Sequence, residues 1–140
     1  MIMQLTVFLQ NEKGRLASAT RTLAEAGINM HAMFVADTQD FGIVRIFCDS
    51  PDKAAKVLAE SGYRASLTPV IAVRVPNEVG GLSKLLEFCD EQDMNIEYAY
   101  CFCVNSDLAI NVLKVEGEGI EAKLVEAGFA TVEPEEIYVV

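Results

Sequence analysis

This chain repeats itself, and that limits its fold more than any other feature. Asn11-Glu12-Lys13-Gly14-Arg15-Leu16 returns as Asn77-Glu78-Val79-Gly80-Gly81-Leu82, a shift of 77 − 11 = 66 residues. The same shift sets Val7 on Val73, Glu25 on Glu91, Ile28-Asn29 on Met94-Asn95, Leu58 on Leu124 and Gly62-Tyr63 on Gly128-Phe129. One offset held along the chain reads as two copies of a module, residues 1–68 and 69–140. Each copy alone stands at the lower edge of the size that folds independently. The short stretch around Thr68-Pro69 leaves no room for separation, so the copies are expected to pack together.

The pattern within a copy predicts its elements. Leu5, Val7 and Leu9 alternate with polar neighbours, which marks a strand. Gly14 opens a helical stretch with Leu16, Ala19, Thr20 and Leu23 on one stripe; in copy two Leu82, Leu85, Leu86 and Cys89 fall at i, i+3, i+4 and i+7. Gly27 suits the residue after the first helix, whereas copy two carries Asp93 there, a weaker stop signal. Residues 29–36 and 41–48 read as strands joined through Asp37-Thr38-Gln39-Asp40. Ser50-Pro51 starts a helix that ends before Gly62, and a strand follows at about 63–68. Strand, helix, strand, strand, helix, strand is the ferredoxin-like unit, an α+β module with an antiparallel sheet and helices on one face. Val44, Ile46 and Cys48 oppose Ile43, Arg45 and Phe47, and Leu108, Ile110 and Val112 oppose Ala109, Asn111 and Leu113. Neither face is plainly polar, which suggests cover by another sheet and hence an oligomer; scattered surface apolar residues are the bland alternative.

Composition excludes several functions. Eleven basic against 21 acidic residues give a net charge of −10, which argues against nucleic acid or an anionic membrane as partner. The start lacks a basic, apolar leader and no apolar run approaches the roughly 20 residues that span a bilayer, so a cytoplasmic protein is expected. Cys48, Cys89, Cys101 and Cys103 form no C-x-x-C pair and are expected as buried thiols rather than redox or metal groups. His31 is the single histidine and reads as a surface or interface residue. Glu133-Pro134-Glu135-Glu136 reads as a solvated turn. No nucleotide-loop, zinc-protease or nucleophile-elbow motif occurs, so no enzyme, cofactor or metal is expected.

What remains is the repeated loop. It leads from a strand into a helix, where free backbone N–H groups attract an anion such as a carboxylate. Glycine at 14 permits close approach or a positive φ, and Asn11 can both donate and accept. Asn29 is expected beside the same end of the module. The structural alternative is that Asn11 caps the helix and Gly14 relieves a turn; repetition of both asparagines and the glycine favours a site.

These residues resemble the ACT-domain family in tandem form, over almost the whole chain. Leu5 to Leu16 and Ala26-Gly27-Ile28-Asn29-Met30, with Val73 to Leu82 and Asp93-Met94-Asn95-Ile96, carry the likeness. The family supplies regulatory domains of amino-acid biosynthetic enzymes. The resemblance implies modules side by side in an eight-stranded antiparallel sheet. It also implies a small ligand, an amino acid above all, between modules. Carried over by position, the contacts would be Asn11, Gly14, Arg15, Leu16 and Asn29, with Asn77, Gly80, Gly81, Leu82 and Asn95 in copy two. Asp93 and Gly81 depart from the pattern, so the two sites need not bind equally. A stand-alone sensor is implied, with a second copy or a regulated enzyme as partner. The alternative is a ligand-free interaction subunit of a biosynthetic enzyme or transporter.

Overall fold

The protein is described from a computed structural model, which covers residues 1–37, 41–103 and 105–138; the expected turn at Thr38-Gln39-Asp40 lies outside them. Contacts divide the chain into two compact units. One is Met3–Thr68 with the described residues from Glu135 on; the other is Pro69–Pro134 with Met1–Ile2.

The first unit contains β1 (Ile2–Gln10) from Met3 on, α1 (Arg15–Glu25), β2 (Met30–Asp37), β3 (Phe41–Cys48), α2 (Pro51–Glu60) and the start of β4 (Arg64–Pro76), with strand order β2-β3-β1-β4. Leu5 pairs with Ile46 and Val7 with Val44. These side chains face Ala19 and Leu23 of α1 and Ala54 and Leu58 of α2, all in one buried cluster. The second unit continues with α3 (Gly81–Glu91), β5 (Ile96–Cys103), β6 (Leu108–Val115), α4 (Ile120–Glu126) and β7 (Ala130–Thr131), in the order β5-β6-β4-β7. Its core gathers Ile71, Val73, Val75, Leu85, Leu113 and Leu124. The ferredoxin-like reading is correct for both.

The strands number seven among the described residues, not eight, because no linker interrupts Thr68-Pro69. β4 is one strand of 13 residues that closes the first unit and opens the second. Pro69 has no N–H to offer a ladder, and pairing with β6 begins beyond it, at Ile71.

The offset of 66 also slips once. Leu5 pairs with Ile46 but its equivalent Ile71 pairs with Leu113, and 113 − 46 = 67. The second hairpin spends one more residue in its loop, which moves every β6 side chain to the other face. Asn111 therefore takes the core-side position of Val44 and is buried, while Ile110 and Val112 turn to the outer face. Asp93 is the sole non-glycine residue with positive φ, 56°, among the described residues; its equivalent Gly27 has φ 73°. The weak stop signal thus takes the same left-handed turn, at a steric cost that glycine avoids.

Two further expectations change. Gln4, Thr6 and Phe47 on the outer face are buried within the single chain, so the mixed face does not by itself require a second copy. Gln4 Nε2 donates to Thr6 Oγ1 at 3.2 Å, and Thr6 Oγ1 lies 2.9 Å from Thr68 Oγ1. Pro134 opens a short helix, α5 (Pro134–Tyr138), with Glu135 and Glu136 in its first turn, where proline and acidic charge are favoured; the acidic segment is not a simple turn. His31 is half-buried at a register shift in β2.

The cysteines split. Cys48 and Cys89 are buried as expected, but Cys101 and Cys103 are exposed on β5, which ends the strand order. Burial pushes the Cys48 thiol from 9.0 up to about 11 and raises that of Cys89. At pH 8 a disulfide reagent should therefore consume Cys101 and Cys103 rapidly, and Cys48 and Cys89 only on unfolding, as read by thiolate release. The folded Cys48 holds its proton to higher pH than the unfolded chain does. Its contribution to stability is complete below about pH 9 and is lost as pH climbs through 11.

Candidate functional site

The repeated loop makes the same backbone hydrogen bonds in both units. Glu12 N donates to Gln10 O at 2.7 Å and Arg15 N to Glu12 O at 3.3 Å; Glu78 N donates to Pro76 O at 2.9 Å and Gly81 N to Glu78 O at 3.1 Å. Gly14 and Gly80 occupy the N-cap positions with φ 88° and 85°, and neither helix has a side-chain cap. The conserved conformation explains the repeated glycine: a left-handed residue must precede the helix. Asn11 is not the cap.

The asparagines do different work. Asn77 N donates to Asp107 O at 2.9 Å and Asn77 Nδ2 to Ser106 O at 3.2 Å, so it fastens this loop to the β5–β6 loop. Asn29 N donates to Asp49 Oδ1 at 3.3 Å and Asn29 O accepts from Asp49 N at 3.2 Å. That places Asn29 beyond one end of β3, while Asn11 follows Gln10, paired with Phe41 at the other end. The eight residues of β3 between them span on the order of 25 Å. Asn29 and Asn11 therefore do not share an end of the unit, because α1 carries the chain back before β2 starts. Asn95, just before β5, is likewise separated from Asn77, since Ile96 pairs with Val115 and Pro76 with Leu108. Leu16 packs against the first core, whereas Leu82 is exposed.

The open space lies beside the loop rather than over the asparagines. In the first unit a cavity of about 370 Å³ is lined by Phe8, Gln10, Arg15, Ile43 and Gly62-Tyr63-Arg64. In the second a cavity of about 610 Å³ includes Arg74, Pro76, Gly80, Gly81 and Gly128-Phe129-Ala130. Six positions correspond under the offset of 66: 8 with 74, 10 with 76, 15 with 81, and 62 to 64 with 128 to 130. Of the expected ligand residues, the cavities bring in Arg15, Gly80 and Gly81. The start of β4 and the Gly-aromatic pair before it were missed, although Gly62-Tyr63 and Gly128-Phe129 were visible in the repeat.

The two cavities differ in charge. In the first, the Arg15 guanidinium lies 5.9 Å from the Tyr63 ring centre and that of Arg64 lies 5.3 Å from the Phe8 ring centre. The Tyr63 hydroxyl is hydrogen-bonded to Ser18 Oγ, which fixes the ring under Arg15. In the second, Gly81 replaces Arg15 for a steric reason. A Cβ at residue 81 would sit 2.4 Å from Pro76 O and 3.2 Å from Val75 Cγ1. Arg74 and Lys84 supply positive charge there and Glu78 negative charge. Among the described residues no group of three or more His, Cys, Asp or Glu side chains could hold a metal, and no helix is long and apolar enough to cross a membrane.

This architecture has known counterparts. The chain is similar to protein BT0572 from Bacteroides thetaiotaomicron, at 33% identity over 99% of this chain and 96% of that one, with a TM-score of 0.92. It shares its fold with the ligand-free regulatory subunit of aspartate kinase from Thermus thermophilus, at 21% identity, 89% coverage of each chain and a TM-score of 0.67. A comparable fold occurs in the aspartokinase alpha and beta subunits, at 14% identity, 89% of this chain and 82% of that one, with a TM-score of 0.58. No curated protein matches it. Residues 1–130 match the model of the ACT domain pair, and with the repeat, the two ferredoxin-like units and the shared loop this establishes that the chain belongs to the ACT-domain family.

Proposed function

We propose that this protein is a regulatory chain that binds a small metabolite, an amino acid first among them, and conveys its presence to an enzyme partner or a second copy. The observation that carries the reading is the pair of cavities built from matching repeat positions, one in each unit. Its likeness to a chain described as the regulatory subunit of an aspartate kinase supports a regulatory rather than catalytic role. The second-unit cavity suits a zwitterion. Arg74 and Lys84 would face its carboxylate, Glu78 its ammonium, and Gly80-Gly81 leave the start of α3 open to approach. Asn77 then acts by holding the loop.

A thermal-shift screen of the twenty amino acids tests this. A ligand at 100 times its Kd should stabilise the protein by about 2.7 kcal/mol. Glu78→Gln should weaken the best amino acid about ten-fold without lowering the melting point of the free protein. Silence across the panel, and across other small metabolites at millimolar concentration, would overturn the reading. A second reading, a ligand-free interaction subunit, draws on β2, where Met33, Phe34 and Val35 are 46%, 37% and 47% exposed in succession. Light scattering that gives the mass of one chain would remove the second copy as its partner.

A further inference from the structure

We propose that the first-unit cavity is a site for a small dianion of the dicarboxylate class, distinct in specificity from its repeat-related counterpart. The inference rests on the reading of the protein as a metabolite-binding regulator. Two guanidiniums, Arg15 and Arg64, line one cavity of about 370 Å³, in a chain whose net charge is −10. Among the described residues neither has a carboxylate within ion-pair distance. Each is instead held against an aromatic ring, Arg15 on Tyr63 and Arg64 on Phe8. An arginine stacked in this way keeps its planar fork of N–H donors available for bidentate contact with a carboxylate.

The rest of the lining narrows the ligand. The stacked guanidiniums already occupy faces of Phe8 and Tyr63, which argues against an aromatic ligand seated on those rings. Among the described residues the lining contains no Asp or Glu, so none of them would neutralise the ammonium of an amino acid. Gln10 adds a neutral donor and acceptor. A ligand with two acidic groups and no cation satisfies this set; a neutral zwitterion does not. The second unit cannot copy the arrangement. Gly81 stands at the position of Arg15 because Pro76 O excludes a side chain, and Ala130 stands at the position of Arg64. One dianion per chain is the expected stoichiometry.

Isothermal titration of the full chain with succinate tests the proposal, with succinamide as the neutral isostere and aspartate as the analogue bearing an ammonium group. Succinate should bind at one per chain, at least as tightly as aspartate, while succinamide should show no heat of binding. Arg15→Gln and Arg64→Gln should each weaken succinate about ten-fold or more. Arg15→Lys and Arg64→Lys should recover only part of that loss, because a point charge lacks the fork. Arg21→Gln, on the exposed surface of α1 and outside the cavity, serves as the charge-matched control and should leave binding unchanged. Absence of succinate binding at 10 mM, equal weakening by Arg21→Gln, or tighter binding of aspartate that survives both cavity variants would overturn the proposal. If an amino acid still stabilises the protein and depends on Glu78 while succinate fails, this inference falls and the broader regulatory reading stands; silence to every ligand defeats both.

Discussion

Gly81→Ala should destabilise the protein by about 3 kcal/mol or more, which lowers the melting point by roughly 10 °C. The added methyl would lie 2.4 Å from Pro76 O, and a backbone carbonyl cannot rotate aside as a flexible side chain would. Relief would require shifting the end of β4 or the start of α3, and both carry the core through Val75 and Leu85. The matching change in the first unit, Arg15→Ala, removes an exposed side chain and its contact with Tyr63 and should cost no more than about 1 kcal/mol. Urea denaturation of the two variants checks the contrast. Equal destabilisation would mean that the two loops are under the same steric limit, contrary to the geometry.

The second large effect is expected at Leu124. Leu58 and its repeat equivalent Leu124 are both fully buried, and removing such a side chain costs about 2–5 kcal/mol. The loss should be greater at Leu124. It sits on α4, a helix of only seven residues, whereas α2 has ten. A helix that short is held by its packing rather than by its own propensity, and Leu124 with Ile120 makes up the buried side of α4. Leu124 O accepts from Phe129 N at 3.0 Å just as Leu58 O accepts from Tyr63 N at 2.9 Å, so the backbone after the helix is held alike in both units and the contrast rests on the length of α4. Leu124→Ala should therefore lower the urea midpoint more than Leu58→Ala and speed hydrogen exchange in α4 selectively. Equal midpoints with no local change in exchange would count against this role for packing.

Particular residues show what the sequence makes legible. The pattern of Leu5, Val7 and Leu9 and the proline at 51 locate β1 and the start of α2 because local periodicity and backbone preference decide them. The recurrence of the loop reveals a repeated conformation, and Gly14 with Gly80 gives its cause. Spatial convergence was less readable. Asn29 looked like a neighbour of Asn11, yet a strand followed by a returning helix puts them at opposite ends. Arg64 and Phe8 meet only because β4 runs beside β1, a contact that no local pattern encodes. The shift of β6 depends on one added loop residue, and Asp93 hides its left-handed turn behind a side chain that usually avoids it.

The exchange of chain ends between the units bears on how such a pair can evolve. The first two residues belong with the second unit, where the Met1 amino group reaches Glu121 at 2.9 Å, and the described residues from Glu135 on belong with the first. A recombination event with a single crossover after Thr68 would therefore transfer neither unit whole. Neither half can then be moved singly into another protein with all the residues of its unit.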